Sequence, residues 1–375
     1  VVYINRIKLS RSQQKDMESW VVEFIRQTIL PLYGIIDENA SVSPLGNGHI
    51  NQTYLVRWST GHIVLQKINT TVFTKPEVLI DNAAKVSHHL IQKANNGEYQ
   101  LDVISPVVLK DGRLSVNLGD KGFWRAIRYL ANSHTIEVVT NQDEAKMAAS
   151  AFGHFAHALS DLDANSLEDV IPNFLNLPQR IEQLKQAVAD DKSGRLADCR
   201  EWAELALSQQ SLFDELAKVE SQLPLRICHN DTKINNMLFD KRDMSSMAVI
   251  DIDTCMKGYL MYDFGDMVRA FCSPEEEDST ALDKVVARPE IIAAACEAYT
   301  EQLADILTPI EKRSLWLGLK VMALMLGSRF LTDHLNGDVY FGIHREGHNL
   351  DRAANQLTVF KSLVAQESSL KTLFE

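Results

Sequence analysis

The sequence predicts an α+β chain in two parts: a small, antiparallel, β-rich N-terminal part over residues 1–131 and a larger, mainly helical part over residues 132–375. Three observations carry this expectation. Residues 41–68 alternate apolar and polar side chains with a period of two, between turn residues. From Ser133 onward the apolar residues recur at helical spacing. At 375 residues, the chain is long enough for two cores.

Composition narrows the function classes. Apolar residues make up 45% and charged residues 23%, which suits a globular protein rather than a disordered one. Acidic residues outnumber basic ones, 50 to 38, for a net charge of −12. That balance argues against a nucleic-acid partner, which needs clustered positive charge. It leaves room for a local basic pocket that holds nucleotide phosphates. Cys199, Cys228, Cys255, Cys272 and Cys296 are widely spaced, with no C-x-x-C pair. Reduced thiols and a cytoplasmic location are expected. The opening VVYINRIKLS lacks the basic start and long apolar run of a signal peptide, so none is expected. The most apolar run, Val321–Leu326, is too short to span a bilayer, and no membrane partner is expected.

Residues 15–33 read as a helix with Trp20, Val21, Phe24, Ile25 and Ile29 on one face, ended by Pro31 and Gly34. Residues 41–68 read as three strands, with turns at Gly46–Gly48 and Ser59–Gly61. Two or three further strands are expected over 101–131, and the last, FWRAIRYL, is expected at the sheet edge. The run TNQDEAKMAASAFGHFAHALSDL reads as a helix capped by Thr140. His154 and His157 on it are read as packing or surface residues rather than a metal pair. The acidic run 275–284 reads as a solvated loop. Two long helices are expected over 289–308 and 310–335, the second through the core.

The most informative stretch is 227–253, ICHNDTKINNMLFDKRDMSSMAVIDID. It reads as a tight loop, a strand, a turn and a second strand. The loop carries H-x-D-x-x-x-x-N as His229, Asp231 and Asn236, and the second strand delivers Asp251 at its end. Phosphoryl transfer needs this set: a carboxylate to take a hydroxyl proton, then an amide oxygen and a second carboxylate for Mg2+. His229 is expected to orient the loop. A literal D-F-G follows at Asp263–Gly265, but Asp251 suits the metal better because it ends a strand paired to the catalytic loop. Asp253 could share the metal or stand behind it.

The strings HNDTKINN and VIDIDT resemble the catalytic core of the aminoglycoside phosphotransferase/choline kinase family, which has the protein-kinase-like fold. With GNGHINQTY, YDFGD, RFLTDHLNGD and HREGHNLDRA, they are more closely similar to the N-acetylhexosamine 1-kinases, over about residues 35–360. The resemblance implies a two-lobed fold with ATP and Mg2+ held between the lobes, and that Asp263 buttresses the catalytic loop. It implies that Gly46 and Gly48 cover the phosphates, although Asn51 replaces the third glycine of the kinase loop. Lys67 would contact the α- and β-phosphates, with Glu77 or Asp81 as its acidic partner. Backbone at Arg128, Tyr129 and Leu130 would meet the adenine. His49, Asp231, Arg329 and Tyr340 would meet the sugar, phosphorylated at its anomeric hydroxyl. The bland alternative for Arg329 is an ion pair with Asp333 one turn on. Rival functions are a kinase of choline, homoserine, a methylthio-sugar or an aminoglycoside, and a nucleotide-binding pseudokinase.

Overall fold

A computed structural model describes residues 19–46 and 50–375. Backbone contacts group the chain into two units. One runs to His88 and resumes over Ile104–Ala131; the other comprises His89–Val103 and Asn132–Glu375. The expected division at 131/132 therefore needs a correction, because residues 89–103 belong to the larger unit. Their contacts explain it. Tyr99 stacks on His154 at 5.0 Å. The Gln100 N–H donates to His154 Nε2 at 3.1 Å, and the Asp102 N–H donates to Met247 O at 2.8 Å. Lys93 pairs with Asp161 at 2.7 Å.

The described part of the smaller unit begins with a helix whose winding changes along its length, loosening before it tightens. Residues 19–24 are α-helical (α1), Ile25–Ile29 form a π-turn, and Leu30–Tyr33 a 3-10 turn closed by left-handed Gly34 at φ 80°. An antiparallel sheet follows: β1 (Ser41–Pro44), β2 (Gln52–Trp58), β3 (Gly61–Ile68), β4 (Pro106–Val107), β5 (Ser115–Asn117) and β6 (Phe123–Arg128). The order is β1-β2-β3-β6-β4, with β5 also on β6. Strand β6 is thus interior, not the edge expected. All of Phe123–Ala126 is buried, on both faces, and only a central strand covers both faces. One face of the sheet packs Val56, Leu65 and Trp124 against Ile25 and Ile29. At the β2–β3 turn a Cβ on Gly61 would stand 2.6 Å from the Trp58 ring, so a side chain there would displace that ring. Helix α2 (Pro76–Asn95) carries the chain from one unit into the other.

The larger unit holds two small β elements. Strand β9 (Met237–Asp240) pairs with β10 (Ser246–Val249) and β7 (Ser133–His134), while β8 (Arg226–Cys228) pairs with β11 (Met256–Gly258). The major helices are α3 (Gln142–Ala158), α4 (Leu177–Asp190), α5 (Leu196–Leu207), α6 (Gln210–Glu220), α7 (Leu260–Phe271), α8 (Pro289–Gln302), α9 (Pro309–Leu335) and α10 (His348–Ala365). The cap of α3 is Asn141, not the expected Thr140. Asn141 accepts the Glu144 N–H at 3.0 Å, while Thr140 donates its own N–H to the Glu144 carboxylate.

Helix α9 is the core element. It starts with a Thr308–Glu311 capping box and packs against α7, α10 and α4. It is long and apolar enough to cross a membrane, but 89% of its most apolar window is buried inside the fold. Its approach to α7 is close: a Cβ on Gly318 would stand 2.0 Å from Met261 O, and one on Gly265 2.4 Å from Gly318 O. The loop over 275–284 is not simply solvated as expected. Glu277 pairs with the buried Arg269 at 2.8 Å, and Asp278 with His348 at 3.0 Å. His154 and His157 go to Tyr99 and Asp305 respectively, as packing histidines do.

Candidate active site

After β8 the chain turns sharply through Asn230, which is left-handed at φ 63°. Buried side chains hold this turn. Asp263, in the first turn of α7, accepts the backbone N–H of His229 at 2.8 Å and of Asn230 at 2.7 Å. The Asn230 amide donates to Cys228 O and Thr254 O. His229 Nδ1 accepts the Asp231 N–H at 3.3 Å, and its Nε2 lies 2.9 Å from Ile250 O. Those partners require the ring proton on Nε2. His229 is fully buried and acts by positioning the loop.

Asp231 follows at the loop tip. Its Oδ2 accepts from Asn236 Nδ2 at 2.9 Å and pairs with Lys233 Nζ at 3.0 Å. Burial by itself would raise this carboxyl. The Lys233 ammonium, with His229 and Asn236, outweighs burial and holds it below the ordinary carboxylate range. Burial would likewise lower the Lys233 ammonium, but Asp231, Asp251 and Asp266 raise it above an ordinary lysine. One cation thus sits in the field of three carboxylates.

The β9–β10 hairpin brings the remaining groups in. The Ile250 N–H donates to Asn236 O at 2.9 Å, which ties the end of β10 to the loop. Asp251 then adopts left-handed backbone, φ 58° and ψ 47°, and is exposed. For a residue with a Cβ this conformation costs on the order of 1 kcal/mol. It turns the chain into the 3-10 turn Ile252–Thr254, so strand alternation does not extend from Asp251 to Asp253. Asp253 is buried. Asn236 gives its amide NH2 to Asp231 O and Oδ2, which leaves its carbonyl end for a cation. The Asp251 carboxylate, one residue past the backbone bond from Ile250 to Asn236, is a second oxygen group that could join it in holding Mg2+. Among the described residues no group of three or more His, Cys, Asp and Glu forms a self-sufficient metal cage. Asp263 is only 3% exposed, with its carboxyl raised to about 6 by burial and its oxygens given to backbone N–H groups. Those bonds fit the buttressing role expected of it.

In the smaller unit, Gly46 is left-handed at φ 70° where β1 turns toward β2. Gly48 and His49 lie outside the described residues. Lys67 departs from expectation. It pairs in register with Trp124, and its Nζ stands 5.9 Å from that ring. Its side chain runs along Gly122, where a Cβ would meet Lys67 Cε at 2.3 Å. Side chains alternate along a strand, so Lys67 shares the face of Leu65 and Trp124, the face that Ile25 and Ile29 cover. Its expected contact with phosphates is corrected accordingly: the side chain is taken up by Trp124 and Gly122. Among the described residues neither Glu77 nor Asp81 pairs with it. The opposite face carries Gln66, whose Oε1 accepts from Arg125 Nε and Nη2 at 2.9 and 2.7 Å. The β3–β6 ladder ends at Arg128, whose N–H donates to Ser105 O. Tyr129 meets the His62 ring edge-on, and Leu130 is buried.

Arg329 is not paired with Asp333. That carboxylate accepts the N–H groups of Val339, Tyr340 and Phe341 and the amide of Asn349. Arg329 instead lies against three rings: Phe341 at 5.3 Å, Phe174 at 5.4 Å and Tyr340 at 5.7 Å. Sequence reasoning missed Lys233, Asp266 and Arg269. The position of Lys233 two residues after Asp231 was a usable signal; nothing local marks the other two.

The model of the phosphotransferase enzyme family (APH) matches residues 41–304. The fold is similar to that of a microcompartment-associated aminopropanol kinase, with TM-score 0.60, 16% identity, and 93% of this chain and 98% of that chain covered. It is similar to a choline kinase from Cryptosporidium parvum, with TM-score 0.55, 15% identity, and 96% and 100% covered. It is also similar to an amicoumacin kinase in complex with AMP-PNP and Ca2+, with TM-score 0.58, 14% identity, and 92% and 95% covered. With the family model spanning more than half its length, from β1 to beyond α8, the chain belongs to the phosphotransferase enzyme family.

Proposed function

We propose that this phosphotransferase uses ATP to phosphorylate the anomeric hydroxyl of N-acetylglucosamine or N-acetylgalactosamine. Phosphoryl transfer rests on one observation: Asp231, Asn236, Asp251 and Lys233 converge on a single loop and hairpin. The sugar rests on GNGHINQTY, RFLTDHLNGD and HREGHNLDRA, which are similar to the N-acetylhexosamine 1-kinases.

Asp231 accepts the proton of the acceptor hydroxyl as its oxygen bonds to the γ-phosphorus. The bond from that phosphorus to the β-phosphate oxygen breaks, and ADP leaves. An Asp held ionised by Lys233 is ready to take the proton. Asn236 and Asp251 would hold Mg2+, which neutralises phosphate charge when bound. Lys233 adds a second positive charge beside the base. Little covalent work falls to the protein, so alignment and charge neutralisation supply most of the rate. Gly46, and backbone at Arg128–Leu130, are the proposed nucleotide contacts; Arg329 and Tyr340 are the proposed sugar contacts.

The test is phosphorus NMR on the product from ATP and N-acetylglucosamine. A sugar 1-phosphate, coupled to the anomeric proton, is expected. A product at another hydroxyl, or none from either acetamido sugar, removes the proposal. The fold likeness to aminopropanol and choline kinases favours a second reading, an amino-alcohol acceptor. The same assay with choline and ethanolamine separates the two.

A further inference from the structure

Three carboxylates lie in the field of the Lys233 ammonium, and Asp231 is the one it pairs with, at 3.0 Å. Asp251 is exposed, and water weakens its pull. Asp266 is buried and is the stronger rival. Its place follows from α7. Asp263 and Asp266 stand three residues apart and share one face of that helix. Asp263 takes the His229 and Asn230 N–H groups, and its carbonyl accepts the Thr232 hydroxyl at 2.5 Å. The catalytic loop therefore runs along that face, and Lys233 is the next residue after Thr232.

Among the described residues, Asp266 nevertheless makes no ion pair with Lys233. Its Oδ1 accepts from both Nε and Nη2 of Arg269, at 2.9 and 2.8 Å, and among the described residues its Oδ2 accepts no hydrogen bond. Arg269, one turn further along α7, is buried as well. Its Nη1 donates to Glu277 Oε2 at 2.8 Å and to Gln356 Oε1 at 3.3 Å, which fixes it between α7, α10 and the loop over 275–284. Burial would lower this guanidinium, but Asp266 and then Glu277 raise it. Burial pushes the Asp266 carboxyl up, and Arg269 is the first charge to oppose this; Lys233 is a second cation in the same field. A buried carboxylate stripped of its partner draws on the nearest remaining cation. Here that cation is Lys233.

We infer that Arg269 is a positioning residue for phosphoryl transfer: by occupying Asp266 it leaves Lys233 to Asp231. It acts through those side chains and not on the nucleotide or the acceptor. The inference deepens the proposed function and rests on its reading of Asp231 as the base. Without Arg269, Lys233 is drawn to Asp266, and the positive charge beside the base and the transferring phosphoryl group is lost.

The experiment compares Arg269→Gln and Arg269→Gln/Asp266→Asn with the parent. Turnover of N-acetylglucosamine is measured per ATP-binding site, counted by calorimetry, so the folded fraction drops out. Arg269→Gln should lower kcat roughly tenfold or more with both KM values within about twofold, the mark of an interaction made in the transition state. Removing the rival carboxylate as well should restore most of kcat. A merely structural role would lower the melting temperature and the number of sites, and leave kcat per site alone. Unchanged kcat in Arg269→Gln, or a double variant as slow as the single one, overturns the inference. If Arg269→Gln does not fold, Arg269→Gln/Glu277→Gln, which keeps the net charge of the cluster, replaces it under the same readings. If the sugar is not phosphorylated, the proposed function fails by itself, and the crystal structure of the same variant decides. Lys233 Nζ paired with Asp266 sustains the inference; Lys233 still on Asp231 overturns it.

Discussion

Asp251 and Asp263 are the same side chain in opposite settings. Asp263 is buried, and both of its oxygens accept backbone N–H groups of the catalytic loop. Asp251 is exposed and held in left-handed backbone at the end of β10. The first keeps a loop in shape; the second stands where a charged ligand can reach it. The D-F-G spelling marks the buried one. A carboxylate's job is thus read from what its oxygens already bind, not from the letters beside it.

Substitutions can break that contrast. The largest effect is expected away from both, at the base itself. Asp231→Asn should cut kcat by about 10²–10⁴-fold with ATP binding kept, as measured by turnover and calorimetry. A rate near the parent's would remove Asp231 as base. Asp251→Ala should come next: activity falls strongly and the Mg2+ titration of activity moves to higher concentration, while the melting temperature changes less than at the buried Asp263, since Asp251 is exposed. Asp263→Ala should do the reverse. It leaves two buried N–H groups without acceptors, at roughly 1–3 kcal/mol each, so the melting temperature drops first and activity follows. If Asp263→Ala melts like the parent and only its Mg2+ response changes, the two roles are exchanged.

A pH series sharpens the comparison further. Burial raises the Asp263 carboxyl from the ordinary 3.8 to about 6. A raised value means that the unfolded chain loses this proton first. The contribution to stability is therefore complete below about 4 and declines as pH rises through about 6. Melting curves of the parent and Asp263→Asn should differ in slope across that window, and parallel slopes would count against it. The smallest effect is expected at Lys67. Its ammonium faces Trp124, so Lys67→Ala should change the KM for ATP less than about threefold, a shift under 1 kcal/mol.

The loop and hairpin of the stretch 227–253 were legible in the sequence because their geometry is local. A hairpin and a tight turn fix Asp231, Asn236 and Asp251 within one run of chain, and the turn residues announce it. The two-part α+β architecture was legible for a similar reason, since the hydrophobic period changes near Ser133. Lys67 failed by one position. A strand read correctly still has two faces, and a one-residue shift in the assignment reverses which of Gln66 and Lys67 points where. The loop over 275–284 looked solvated because its partners, Arg269, Arg352 and His348, come from two helices that no local pattern connects. The central place of β6 was hidden in the same way, because strand order is a long-range property.

The crossing of α7 and α9 has a consequence for genetics. Gly318 leaves no room for even a methyl group beside Met261, and α7 carries the carboxylate that shapes the catalytic turn. A Gly318→Ala allele, distant in sequence from every reacting group, should therefore behave as temperature-sensitive: complementing at low growth temperature, silent when warmed, and not rescued by trimming the Met261 side chain, because the clash is with its backbone carbonyl.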